Sequence, residues 1–178
     1  MTYIPRYKAF IFEDYNYNPV SGKAEFRYSF DGEMRFVESV QFSPTTDYDT
    51  GALDRALQLA FVLAGISYYK AFLASTMLLE SFKLTESQAN FFNQVYKYGL
   101  SQFVYENSLE PDDVGEFEGS AGGETVATAY EGRGTLLLQS GGKDSLLLAE
   151  LLSRKSVSFT PWYISQTINI PRVIKSIA

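Results

Sequence analysis

The sequence predicts an α+β domain, an antiparallel meander with helices beside it, followed by the start of an α/β parallel sheet that stops short. Three patterns carry this reading. Ala24, Phe26, Tyr28 and Phe30 alternate with Glu25, Arg27 and Ser29, the period-two signature of a half-buried strand. Leu53, Ala56, Leu57, Ala60, Phe61 and Ala64 recur at i, i+3, i+4 and i+7, the apolar stripe of a helix. Thr135–Gln139 is a continuous apolar run that enters a Gly-rich loop and then the leucine-rich stretch Leu146–Leu152, which reads as strand, loop and helix of a βαβ unit, the strand buried on both faces.

Taken in order, Tyr7–Phe12 is a strand, Asn18 to Gly22 supply a turn, and Asp31-Gly32 is a hairpin signal leading into a strand over Glu33–Phe42. Asp49 and Thr50 are candidate caps for the helix that follows, and Gly65 interrupts it. Thr85-Glu86-Ser87-Gln88 has the pattern of a capping box, opening a helix that carries Phe91, Phe92 and Val95 and stops at Gly99. Val104 to Glu131 holds eight acids and no Lys or Arg, with four Gly between 115 and 123. Pro111–Gly123 therefore reads as a flexible connection. From Arg133 onward six bases face two acids, so that part carries +4 and the rest −10. The expected partition is an α+β domain over 1–110, an acidic, Gly-rich linker over 111–132 and a βαβ-containing segment over 133–178. Ser158–Ile164 is the second strand of that segment, and Pro171–Ala178 the start of a helix.

Composition narrows the chemistry. At 178 residues and 46% hydrophobic, the chain can bury a core. With no Cys and no His, thiolate nucleophiles, zinc–thiolate sites and imidazole bases are excluded from this segment. A net charge of −6 argues against bulk-charge binding to nucleic acid or to an anionic membrane. The N-terminus lacks the apolar core of a signal peptide, and no stretch approaches the ~18–20 apolar residues of a membrane span. A cytoplasmic protein is the expectation.

The chemistry-bearing motif is Ser140-Gly141-Gly142-Lys143-Asp144-Ser145. A Gly-rich turn between a strand and a helix N-terminus directs several backbone N–H groups at one spot, which suits a phosphate. Gly141 and Gly142 let the backbone approach closely. Ser140 and Ser145 add hydroxyl donors and Lys143 a positive charge. Asp144 beside a phosphate calls for Mg²⁺, or for loop amides, to offset the repulsion. The GxxxxGK[ST] pattern fails because Leu137 and Asp144 stand where Gly and Ser or Thr are needed, and GxGxxG fails at Leu137.

SGGKDS with a strand before it and a helix after it resembles the signature of the PP-loop ATP pyrophosphatases. That resemblance implies an adenine nucleotide alpha hydrolase-like sheet, ATP held with its pyrophosphate on residues 140–145, and transfer of AMP to a substrate oxygen with release of PPi. Upstream, Ala52–Leu57, Ala64–Ala71 and Phe91–Leu109 are similar to the UDP-N-acetyl-α-D-muramoyl-L-alanyl-L-glutamate epimerases of peptidoglycan synthesis. The similarity runs from about Phe10 to about Leu152. It implies ATP- and Mg²⁺-dependent inversion of the terminal L-glutamate of a UDP-muramoyl dipeptide. The chemistry is coherent with the composition, since adenylating a carboxylate acidifies its α-carbon and removes the need for a pair of thiol bases.

Lys143 and Lys70 are the candidate catalytic residues, Asp144 the candidate Mg²⁺ ligand. Lys70 acts as a base only if aromatic neighbours desolvate it. Tyr68 and Tyr69 are alternative bases, against the plainer reading that they pack and Lys70 is a solvated end charge. Asp54 and Arg55 form a polar helix face or contact substrate. Rival readings are another PP-loop adenylating enzyme, acting on tRNA or forming amides, and a non-catalytic nucleotide-binding module. Only 33 residues follow Ser145, fewer than the further βα units of a doubly wound sheet require. The expectation is therefore the N-terminal part of a longer protein, inactive alone.

Overall fold

The computed structural model describes residues 6–42, 44, 48–121, 134–164 and 172–175. The chain divides into two compact units, Met1–Val126 and Ala127–Ala178.

The first unit is built on a four-stranded sheet. β1 (Ala9–Asn18), β2 (Lys23–Phe30) and β3 (Met34–Gln41) form an antiparallel meander, and β4 (Thr76–Leu79) joins the other edge of β1 in parallel, giving the order β3-β2-β1-β4. The expected β2–β3 hairpin is present. Asp31 and Gly32 both adopt positive φ, 51° and 72°, and Glu33 N–H closes the turn on the Phe30 carbonyl at 2.9 Å, the geometry that suits a right-twisted hairpin. The Asp31 carboxylate also accepts from the backbone N–H groups of Lys8 and Ala9 at 3.0 and 2.7 Å, fixing the start of β1.

β1 runs six residues past its expected end. A register shift between Phe12 and Asp14 resets the alternation, so Phe10, Phe12, Tyr15 and Tyr17 pair with Phe30, Tyr28, Phe26 and Ala24 on the inward side. A bulge of this kind adds one residue to one strand, and the pattern breaks in the sequence at Glu13-Asp14 for that reason.

Helix α1 (Thr50–Tyr69) lies on the aromatic side of this sheet. Asp49 caps it, accepting from Ala52 N–H at 2.6 Å. Phe61, fully buried, packs against Phe12, Tyr15, Phe26 and Tyr28 with centroid distances of 5.0–5.7 Å. Gly65 does not interrupt the helix. A Cβ there would stand 2.5 Å from Phe12 Cε1 and 3.2 Å from Tyr28 Cε1, so glycine permits close approach of helix to sheet. Gly65→Ala gains about 1 kcal/mol of helix propensity but must displace two buried rings, costing about 1–3 kcal/mol. The expected result is a lower urea midpoint, and an unchanged or raised midpoint would contradict the packing.

Two core tyrosines tie α1 to its neighbours. Tyr28 donates to the Phe61 carbonyl at 2.8 Å and Tyr96 to the Val62 carbonyl at 2.6 Å. Burial raises both hydroxyls above the ordinary value of 10.0. A raised folded pKa means stability that is intact below pH 10 and is lost as the unfolded chain ionises above it. Two such groups imply a loss of about 2 kcal/mol between pH 10 and 11, steepening towards about 3 kcal/mol per unit once the unfolded tyrosines are ionised. Urea titrations at pH 9, 10 and 11 should show a level region and then a steep fall, and a flat profile to pH 11 would rule this out.

β5 (Leu84–Thr85) leads into α2 (Glu86–Gly99), where the expected capping box is formed: Thr85 Oγ1 accepts from Gln88 N–H at 3.2 Å and Gln88 Oε1 from Thr85 N–H at 2.9 Å. α3 (Ser101–Glu106) and a 3₁₀ turn (Pro111–Asp113) follow. The stretch expected to be a flexible connection is instead packed as far as it is described. Val114 and Phe117 are buried, and β6 (Gly119–Ser120) pairs in parallel with β5. Gly115 N–H donates to the Tyr69 hydroxyl at 2.6 Å, and the Asn93 side chain bonds both backbone groups of Phe117, at 2.7 and 3.2 Å. Residues 122–133 lie outside the described residues.

The second unit contains β7 (Thr135–Leu138), α4 (Lys143–Arg154) and β8 (Phe159–Trp162), with β8 parallel to β7 and the short helix α5 (Arg172–Lys175) beyond. β7 is not buried on both faces. Leu137 is 2% exposed, while Leu136 and Leu138 on the opposite face are 62% and 64% exposed, because α4 covers one side of the pair and no described element covers the other. No helix among the described residues is long and apolar enough to cross a membrane.

Candidate functional site

The loop between β7 and α4 is held from both ends. Gln139 N–H donates to the Trp162 carbonyl at 2.8 Å, tying the loop entrance to β8. The Gln139 side chain, 3% exposed, turns inward and donates through Nε2 to the Ser145 carbonyl at 3.2 Å. Ser145 Oγ donates to the Gly142 carbonyl at 2.9 Å and Gly142 N–H to Ser140 Oγ at 3.4 Å.

Two glycines set the path. Gly141 has φ +75°, a conformation that strains any other residue. Gly142 is the N-cap of α4 and supplies no side-chain cap. The N–H groups of the first turn, which an ordinary cap would satisfy, thus open onto the loop at the positive end of the helix dipole. Ser140, Lys143 and Asp144 are exposed around them. The arrangement is an open cradle of backbone donors, the Ser140 hydroxyl, one ammonium and one carboxylate. It can bind a phosphate chain and, through Asp144, a hard cation shared with that chain. Among the described residues no group of three or more His, Cys, Asp or Glu side chains is placed to hold a metal ion.

The remaining candidates lie in the first unit. Lys70, the C-cap of α1, is exposed to solvent and not enclosed in the core. Tyr68 donates to Glu38 Oε2 at 2.5 Å, and burial together with that carboxylate pushes its hydroxyl up to about 12. Tyr69 is fully buried and donates to the Ala74 carbonyl at 3.0 Å. Both tyrosines are packing residues. Asp54 accepts from Tyr15 at 2.7 Å and from Gln58 at 3.0 Å, and Arg55 lines a cleft with Gln58, Phe82 and Phe91. Gln139 escaped the sequence reading. Its signal was a lone amide closing an apolar run, two positions before the first glycine of the loop.

The profile of the MurL N-terminal domain matches residues 1–178. A protein of Salinispora tropica named UDP-N-acetyl-alpha-D-muramoyl-L-alanyl-L-glutamate epimerase is 33% identical over 97% of this chain and 38% of its own length. Proteins of the same name from a Micromonospora species and from Xanthomonas oryzae pv. oryzae are each 32% identical, over 90% and 81% of this chain and 38% and 33% of their own lengths. The chain thus spans between a third and two fifths of these curated relatives. No solved structure matches it.

Proposed function

Because this chain belongs to the MurL N-terminal domain family, we propose that the whole protein inverts the terminal L-glutamate of UDP-MurNAc-L-Ala-L-Glu to D-glutamate, consuming ATP at the loop Ser140–Ser145. The observation that carries the ATP assignment is the open first turn of α4 behind Gly141 and Gly142. The names of the relatives support the substrate.

ATP is a co-substrate in this account. Its phosphates would lie against the N–H groups of Lys143, Asp144 and Ser145, where glycine removes the Cβ atoms that would hold them off. Lys143 offsets negative charge on the phosphates, and Ser140 offers a hydroxyl, while the Ser145 hydroxyl braces the loop on the Gly142 carbonyl. The donor set also fits Mg²⁺, which binds through one or two carboxylates, substrate phosphates and waters; Asp144 is that carboxylate, and Mg²⁺ would neutralise charge on the phosphates. Transfer of AMP to the glutamate carboxylate, with PPi leaving, cancels the negative charge that opposes removal of the α-proton. Reprotonation on the other face inverts the centre, and water then releases AMP. The acid and base of the proton transfers are not Tyr68 or Tyr69, whose hydroxyls are engaged within the fold.

The test is turnover by the whole protein. With ATP, Mg²⁺ and the UDP-muramoyl dipeptide, AMP and PPi should appear together with D-glutamate in the product. ATP bound without turnover would favour a nucleotide-binding module, and AMP release with a different acceptor would favour another adenylating enzyme.

A further inference from the structure

Gln139 has a side chain that stability alone does not explain. It follows directly on β7, falls on the same face as Leu137 under α4, and is 3% exposed. Its amide is used at one end only. Nε2 donates to the Ser145 carbonyl, whereas Oε1 is shut off from solvent and meets no donor among the described residues. A buried acceptor without a partner has lost its bonds to water, and that loss equals or exceeds what one neutral hydrogen bond contributes. Methionine at 139 would fill similar space without an orphaned oxygen, and Leu136, Leu137 and Leu138 show that this strand accepts apolar side chains. A buried polar group that breaks a local rule in this way calls for a functional reason.

What an amide provides here, and an apolar chain does not, is a directional bond. The Gln139 backbone N–H donates to the Trp162 carbonyl at 2.8 Å. Its side chain therefore starts from a point anchored in both β7 and β8 and ends on the first turn of α4. The carboxyl ends of adjacent parallel strands are where ligands settle in open α/β sheets. Residues 140–144 lie between these two ends, and their own bracing is slight: Gly142 N–H reaches Ser140 Oγ only at 3.4 Å. We propose that Gln139 is a positioning residue for the nucleotide, a strut from the ends of β7 and β8 to α4 that keeps the first-turn N–H groups convergent on the phosphates. The orphaned oxygen is the loss of stability that accompanies the strut. This rests on the assignment of ATP to Ser140–Ser145 and adds the residue outside the loop that gives the loop its shape.

The experiment compares the whole protein in its natural sequence with Gln139→Met, which keeps the length of the side chain and removes both ends of the amide. Calorimetric titrations use ATP and, separately, inorganic pyrophosphate, each with Mg²⁺, and urea unfolding is followed without nucleotide. Gln139→Met should keep or raise the urea midpoint, because the unpaired oxygen is gone. It should weaken ATP and pyrophosphate by the same factor, about tenfold or about 1.4 kcal/mol, since both are held through their phosphates. In turnover it should slow AMP formation and leave KM for the muramoyl dipeptide unchanged. Affinities equal to those of the natural protein, or falling only together with the urea midpoint, would make Gln139 a core filler and leave the ATP reading standing. A natural protein that binds neither ligand would overturn the ATP reading and this inference with it.

Discussion

Gly141→Val in the whole protein is expected to lower the rate of AMP and PPi formation at least about 100-fold, the loss that follows when a reacting group is displaced by about an ångström. Valine is strained at φ +75°, and β-branching restricts it further. The loop must therefore change path, and the first-turn N–H groups of α4 no longer converge on one point. The effect should stay local. Gly141 lies in the second unit, Ala127–Ala178, and the core clusters of β1, β2 and α1 are in the first. Urea unfolding of the first unit should keep its midpoint while turnover is lost. Turnover within a few-fold of the natural protein would show that the loop does not position the phosphates.

The largest effect on folding is expected at Phe61. Phe61→Ala removes a fully buried ring from contact with four aromatic residues of β1 and β2. A large aromatic replaced by alanine costs about 3–5 kcal/mol, against a total of about 5–15 kcal/mol for a typical protein. The Tyr28 hydroxyl bonds the backbone carbonyl of Phe61, so that bond can survive the substitution and the loss reports the ring. A change below about 1 kcal/mol would mean that the sheet and α1 can close the cavity, which rigid aromatic packing should prevent.

Comparison of sequence and structure shows which local signals determine an element and which elements depend on distant partners. The β2–β3 hairpin, the α2 capping box and the Gly-rich loop are legible because their information is local: alternation plus Asp31-Gly32, a Thr-to-Gln reciprocal bond, and glycines between a strand and a helix. The second half of β1 is hidden by its bulge, which breaks alternation in the sequence while preserving it in space. β4 is four residues long and depends on pairing with β1, 67 positions upstream at Ala9↔Thr76. Gly65 and the segment 111–120 mislead for a shared reason. Glycine and acidic residues usually mark breaks, yet here Gly65 allows close packing and Val114 and Phe117 anchor a charged run.

The site divides the same way. Residues 140–145 are contiguous and could be read directly, whereas the inward turn of the Gln139 side chain onto the Ser145 carbonyl depends on the folded loop. Nor does proximity in sequence reveal that Tyr68 and Tyr69 turn toward the core while Lys70 at the helix end faces solvent.

The central claim, that ATP-driven activation at Ser140–Ser145 serves inversion of a glutamate centre, is tested most directly by incubating the whole protein with UDP-MurNAc-L-Ala-L-Glu in D₂O and following deuterium at the glutamate α-carbon. The account predicts α-deuterium and D-glutamate that appear only when ATP and Mg²⁺ are present, with AMP and PPi formed alongside, and that disappear in Gly141→Val. Exchange or inversion that proceeds equally well without ATP would contradict it.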